Sequence, residues 1–168
     1  DHLIPGPGEY PLLSLLGITG KNNSFCLPDY TSLPLNEYLS PGLILPYSAS
    51  IGCYWNKCSF CPERAEGNPY VPVPNDKVLS DLHALVKQTK PVLIHFLDNA
   101  LSPALLKTIS SNSLNLPWYG FARITPHLTD LDFCRALKQS GCVMLKLGLE
   151  SCDQKVLDSL RKGINLKE

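Results

Sequence analysis

The 168-residue sequence has no excess of charge of either sign: 15 Lys and Arg stand against 15 Asp and Glu. It holds no basic stretch to track a phosphate backbone, so charge gives no reason to expect a nucleic-acid partner. No apolar run approaches the roughly 18 residues that cross a bilayer, so no membrane partner is expected either. There is no low-complexity tract and no short repeat. The pair Gly6-x-Gly8 lacks the third glycine, the strand and the helix of a dinucleotide fingerprint. The chain begins at Asp1 rather than Met, reads as a fragment, and says little through the lack of a signal peptide.

Hydrophobic residues make up 44% of the chain, enough for a core. The seven cysteines are Cys26, Cys53, Cys58, Cys61, Cys134, Cys142 and Cys152, and three of them fall within nine residues. A secreted disulfide framework is usually shorter and poorer in regular structure. The clustered triplet reads as a metal loop in a reducing, cytoplasmic compartment.

Residues 1–41 read as a leader or linker. They carry Pro5, Pro7, Pro11, Pro28, Pro34 and Pro41 with Gly6, Gly8, Gly17 and Gly20, and one short helix is predicted over Glu9–Leu16. From residue 42 to 168 strand and helix signals alternate. Strands are predicted over Leu43–Ser48, Val92–Leu97, Trp118–Ile124 and Val143–Leu149. Pro46 cannot donate a ladder hydrogen bond, which places the first strand at a sheet edge. The cysteine loop follows at 52–74. Helices are predicted over Val78–Lys90 with Val78, Leu79, Leu82, Leu85 and Val86 on one face, and from Ser102-Pro103 onward. Another is predicted from a Thr129/Asp132 capping box to Gln139 with Gly141 as its stop, and a last one from Ser151 with Gln154 to Gly163. These are about four βα units, an α/β pattern that calls for a parallel sheet with right-handed crossovers. Eight units take roughly 250 residues, so the expectation is a partial TIM-type (β/α) barrel, with an open doubly wound sheet as the alternative.

Cys53, Cys58 and Cys61 have the spacing C-x4-C-x2-C directly after the first strand. Thiolates are the soft ligands that iron–sulfur clusters and zinc select, and a compact loop brings three together cheaply. A closed structural site takes four protein ligands, so three leave a position open for a substrate or cofactor. The loop also leaves the C-terminal end of a strand, where α/β folds build active sites. The bland alternative is a zinc module completed from a distance; His83, the nearest histidine, lies inside a predicted helix.

These residues, with Phe60 before the last cysteine, resemble the cluster loop of the radical S-adenosylmethionine superfamily. Phe96-Leu-Asp-Asn99, Tyr119-Gly-Phe-Ala-Arg123, Leu147-Gly-Leu-Glu-Ser151 and the stretch to Gly163-Ile-Asn resemble further family segments, so the likeness covers about residues 42–168. The resemblance implies a 4Fe–4S cluster on Cys53, Cys58 and Cys61, with S-adenosylmethionine chelating the fourth iron. It implies reductive cleavage of that cofactor to methionine and a 5′-deoxyadenosyl radical. It also implies an electron donor such as flavodoxin or ferredoxin, and a small-molecule or macromolecular substrate that the sequence does not name. The stretch from Asp1 to Leu13 resembles the end of a cobalamin-binding domain, which implies cobalamin in a full-length parent. The spacing is one residue wider than the superfamily's commonest C-x3-C-x2-C, and its Cys-Tyr-Trp form resembles a variant of it. Ile51 stands where that subgroup commonly has arginine. The family fold has about six units, so the late strands are expected outside this chain.

The resemblance places Phe60, Asp98, Arg123, Glu150 and Ser151 in the cofactor shell. Arg123 is expected to clamp the methionine carboxylate, and Glu150 to meet the ribose hydroxyls or the methionine amine. A structural salt bridge for Arg123 and helix capping for Glu150 are the alternatives. Strand alternation sets Val143, Leu145, Leu147 and Leu149 under covering helices, and Met144, Lys146, Gly148 and Glu150 toward a lumen. Lys146 is expected to pair with a carboxylate there. Asn99 shares the rim with Asp98, and His95 reads as a core residue. Tyr54 and Trp55 are expected to pack the loop against the barrel. Cys134 is expected in the core with Leu131 and Leu137. An electron-transfer iron–sulfur protein remains a rival reading; it needs a fourth cysteine, for which Cys26 is the upstream candidate.

Overall fold

The computed structural model describes residues 2–4, 8–18 and 25–167. Asp1, Pro5, Gly6, Pro7 and Gly20 of the leader lie outside the described residues. Helix α1 spans Glu9–Leu15, and a 3-10 turn covers Leu35–Glu37. Strand β1 (Ile44–Tyr47) leads through β2 (Ser50–Ile51) into the cysteine loop, which contains α2 (Pro62–Ala65) and closes on β3 (Val71–Pro72). Then come α3 (Asn75–Thr89), β4 (Leu93–Phe96), α4 (Pro103–Ser111), β5 (Trp118–Ala122), a 3-10 turn at Pro126–Thr129, α5 (Leu131–Gln139), β6 (Cys142–Leu147) and α6 (Gln154–Ser159).

Strands β1, β4, β5 and β6 form one parallel sheet in that order, joined through α3, α4 and α5. The fold is therefore the expected α/β alternation of four βα units, laid out as an open sheet; no closed barrel forms among the described residues. Pro46 sits on the edge strand, where its missing N–H leaves no ladder bond unmade.

Alternation along each strand builds the core. Leu45 and Tyr47, Ile94 and Phe96, and Trp118 and Ala122 face the helices, where they meet Val78, Leu82, Leu85, Leu105, Leu106, Ile109 and Leu137. Phe96 stands edge-on to both Tyr47 and Trp118, with ring centroids 6.3 Å and 5.7 Å apart. The opposite face carries His95, Tyr119, Phe121 and Lys146. His95 is half-buried and stacks on Tyr119 at 4.2 Å, rather than lying in the core.

Helix starts follow local hydrogen bonds more than apolar period. Ser102 caps α4 as expected, its Oγ accepting from Leu105 N at 3.2 Å ahead of Pro103. Helix α3 begins three residues before Val78, because Asn75 and Asp76 are helical without being apolar. Two caps are corrected. Asp130, not Thr129, caps α5, its carboxylate accepting from Asp132 N and Phe133 N while Thr129 Oγ1 donates to Pro126 O. Asp153, not Ser151, caps α6, accepting from Lys155 N and Val156 N. In each case a carboxylate next to the first turn satisfies two amides and suits the positive end of the helix.

Strand β6 departs from strict alternation. Its pairing with β5 shifts between Trp118 and Tyr119, so Val143 is the extra residue of a bulge. Leu145 and Leu147 keep the helix-side register, but β6 lies at the sheet edge, leaving Val143 and Leu147 exposed. Leu131 is likewise 61% exposed, so the expected core group of Leu131, Cys134 and Leu137 reduces to a buried Leu137 and a half-buried Cys134.

Candidate cluster and cofactor site

The β2–β3 pair, with Ser50 opposite Pro72 and Ile51 opposite Val71, closes the base of the cysteine loop. Asp98, just past β4, fixes where that loop leaves the sheet. Its carboxylate accepts from Ala49 N at 2.9 Å and from Ser50 Oγ. Burial pushes the Asp98 carboxyl above its ordinary range, and the bonds from Ser50 and Ala49 pull it back. Asp98 is 3% exposed and does not line the cavity described next.

Cys53, Cys58 and Cys61 all border one cavity of about 290 Å³ at the C-terminal end of the sheet, with Phe60, Arg123 and Glu150 on the same wall. Asn99, Lys146, Gly148 and Lys162 also line it. Ser151 does not; its hydroxyl accepts from Asp153 N in the turn before α6. Of the eight candidate residues, six therefore meet at one cavity, while Asp98 and Ser151 hold the loops beside it. A larger cavity of about 610 Å³ lies between residues 30–46 and the end of α3, away from the cysteines.

The loop is held mainly by the segment that follows α6. Ser59 N donates to Leu160 O at 3.0 Å, and Trp55 Nε1 donates to Arg161 O at 3.0 Å. Arg123 donates from Nη2 to Lys162 O, and its Nη1 lies 3.8 Å from Cys58 Sγ. Its guanidinium carbon stands 4.1 Å from the centre of the Trp55 ring, so Trp55 does pack the loop, with Arg123 as its partner. Gly163 permits this: φ is +62° and an added Cβ would fall 2.2 Å from Trp55 Cζ2.

Glu150 does not cap the next helix. It adopts φ +71°, a conformation rare for a side-chain-bearing residue and common at functional sites. Its Oε1 accepts from Lys162 Nζ at 3.2 Å. A Cβ on residue 148 would stand 3.0 Å from Glu150 Oε1 and 3.3 Å from Lys162 Nζ, so Gly148 leaves the room this pair occupies. Lys162, missed in the sequence, is buried and also lies over the Phe60 ring at 5.8 Å. A lysine just after a helix looks like an ordinary cation at a helix C-terminus, so only the fold reveals it.

Lys146 corrects another expectation. It forms no ion pair among the described residues; its ammonium lies 5.3 Å and 5.1 Å from the Tyr119 and Phe121 ring centres. The cavity wall thus carries Arg123, Lys146 and Lys162 against the single carboxylate of Glu150.

Two observations test the donor set against an iron–sulfur cluster. Among the described residues, Asn56 Oδ1, inside the cysteine loop, is a buried side-chain atom without a hydrogen-bond partner, while the buried Tyr54 hydroxyl beside it meets the Arg123 charge. An unsatisfied buried atom is uncommon in a folded chain and marks a part of the loop that its own hydrogen bonds do not close. The second is the surplus of positive charge, which suits three thiolates and a net-anionic cluster. No three His, Cys, Asp or Glu side chains among the described residues converge on a single-ion position. The residues present fit the cluster by donor type, shared cavity and charge.

No protein-family profile matches the chain. An uncharacterized methyltransferase of Pyrococcus horikoshii is 25% identical over 148 residues, covering 82% of this chain and 31% of that protein. The radical S-adenosylmethionine methyltransferase TsrM of Kitasatospora setae, solved with cobalamin and a 4Fe–4S cluster, superposes with a TM-score of 0.58 at 22% identity. That match covers 71% of this chain and 25% of TsrM. The cobalamin-dependent S-adenosylmethionine radical enzyme OxsB, solved with aqua-cobalamin and S-adenosylmethionine, gives 0.56 at 17% identity over 74% of this chain and 21% of OxsB. The chain spans about a third or less of the length of each of these proteins, and the structural likeness is one of fold. No helix among the described residues is long and apolar enough to cross a membrane.

Proposed function

We propose that this chain is the cluster-bearing part of a radical S-adenosylmethionine enzyme. The observation that carries the reading is the meeting of Cys53, Cys58 and Cys61 at one cavity with a buried arginine beside Cys58. The likeness in fold to TsrM and OxsB supports it. Both structures contain cobalamin, and the full-length parent is proposed to use it too, in a methyl transfer or a related reaction.

Cys53, Cys58 and Cys61 would hold the cluster, and three protein ligands would leave one iron position for the cofactor. When bound, the cluster supplies the electron that cleaves S-adenosylmethionine reductively. The protein's part is positioning and charge. Phe60, 53% exposed, offers an apolar plane at the cavity mouth. Lys162 fixes the Glu150 carboxylate through Oε1, which leaves Oε2 to accept from an amine or hydroxyl of the cofactor. Asn99 is held by Glu63 Oε1 at 2.9 Å on the same wall. Asp98 acts at a distance by anchoring Ala49 and Ser50. An electron donor of the flavodoxin or ferredoxin type completes the scheme.

The test is iron and sulfide analysis of protein reconstituted without oxygen, followed by spin resonance of the reduced form with and without S-adenosylmethionine. About four irons per chain, lost in Cys53→Ala, with a spectrum that changes on adding the cofactor, supports the reading. One tightly held zinc and no iron uptake would sink it. A cluster that ignores the cofactor in the full-length protein points to electron transfer instead.

A further inference from the structure

Arg123 is 8% exposed, and no carboxylate pairs with it among the described residues. A guanidinium does not deprotonate in a protein, so it cannot escape burial by becoming neutral. An unpaired buried charge is costly, and the Lys162 carbonyl and the Trp55 ring compensate it only with partial charges. The Tyr54 hydroxyl also lies close to the guanidinium, but burial keeps that phenol neutral; a group in reach that can carry a full negative charge is Cys58 Sγ, 3.8 Å from Nη1. Cys58 is itself the most buried of the three loop cysteines. A thiolate bound to an anionic cluster supplies the missing negative charge.

We infer that Arg123 is a positioning residue for the cluster: it donates to Cys58 Sγ and raises the reduction potential of the cluster, and it does not clamp the methionine carboxylate. This rests on the proposed cluster site. Cluster potentials respond to net charge and to hydrogen bonds at sulfur, and both act here in one direction. The reduced cluster is more anionic, so a fixed cation and an N–H donor beside it favour reduction. Trp55 sets the plane of the guanidinium, and Lys162 O fixes its far end, so Nη1 is aimed before any cluster arrives. Lysine cannot reproduce that arrangement, because it is a point charge without a planar fork.

The experiment is a mediated redox titration of the reconstituted chain, compared with Arg123→Gln and Arg123→Lys, with iron content and S-adenosylmethionine affinity measured on each sample. The midpoint is expected to move to more negative values in Arg123→Gln, and part of the way in Arg123→Lys. Cofactor affinity in Arg123→Lys stays close to that of the unsubstituted chain. Equal midpoints at equal iron content overturn the inference. So does a loss of cofactor affinity with the midpoint unchanged, which makes Arg123 a cofactor clamp. If Arg123→Gln takes up no iron, Trp55→Leu decides. It removes the stacking ring together with the Trp55 Nε1 bond to Arg161 O and leaves the Arg123 bond to Lys162 O, so at equal iron content a smaller negative shift supports the inference and no shift defeats it. An unsubstituted chain that takes up no iron defeats the function reading as well, whereas a cluster indifferent to Arg123 defeats this inference alone.

Discussion

The ammonium of Lys162 lies 3.2 Å from Glu150 Oε1, and the two ends of this pair are unequally buried: 7% of the lysine side chain is exposed against 41% of the glutamate. Removing one partner is therefore not equivalent to removing the other. Glu150→Gln leaves a buried cation unpaired and is expected to cost about 1–2 kcal/mol, between the values for exposed and fully buried pairs. Lys162→Met leaves only a solvated carboxylate and is expected to cost less. Urea midpoints of the two variants check the order; equal losses refute the asymmetry.

Asp98 holds Ala49 N and Ser50 Oγ at the root of the cysteine loop. Asp98→Ala strands both donors and is expected to lower stability by about 1–3 kcal/mol. Asp98→Asn keeps one acceptor oxygen and is expected to fall in between. Hydrogen exchange of the Ala49 amide should rise more than that of amides in α4. Unchanged exchange at Ala49 would show that the anchor is not needed.

Gly163 and Gly17 both have positive φ, yet only Gly163 has a close neighbour, the Trp55 ring. Alanine at 17 incurs only the backbone penalty, about 1–2 kcal/mol in the left-handed region. Gly163→Ala adds a clash and is expected to exceed it, with a change in Trp55 fluorescence. Similar losses in the two variants, without a spectral change, count against the packing.

Burial lowers the His95 pKa below its ordinary value, and the Lys146 charge lowers it further. The other charged groups at the cavity wall are Arg123, Lys162 and Glu150. A depressed pKa means the unfolded chain binds the proton more readily. The stability from neutral His95 is thus present above the ordinary histidine pKa of about 6.5 and is lost as pH falls through the lower folded value. Ring-proton NMR should place the His95 midpoint below the ordinary value and move it up in Lys146→Met. A midpoint at or above the ordinary value refutes this.

How much could be read in advance depended on how local the signal was. Pro103 after Ser102 and the four apolar strands are written in neighbouring residues, and each element appears within a few positions of where the sequence puts it; the clustered cysteines, also local in the chain, line one cavity. The cap at Asp130 is adjacent to Thr129, and only the turn geometry decides between a hydroxyl and a carboxylate one step apart. The bulge at Val143 was not legible, because an extra residue in a run of apolar side chains leaves the pattern looking regular. The partnership of Trp55, Arg123 and Gly163 was invisible for another reason. It joins three segments far apart in the chain, and no residue type announces which arginine will stack on which ring. The same holds for Lys162.

Strand β6 has one handling consequence. Among the described residues its outer edge pairs with no strand, and Val143, Met144 and Leu147 are exposed along it. The chain also has a pI near 7.0 and a formal net charge of zero at neutral pH. A row of unsatisfied amides beside apolar side chains invites another copy to dock, and at neutrality no long-range repulsion slows the encounter. Colloidal stability of this chain in isolation is therefore lowest near pH 7, and loss from solution should accelerate with concentration as a second-order process.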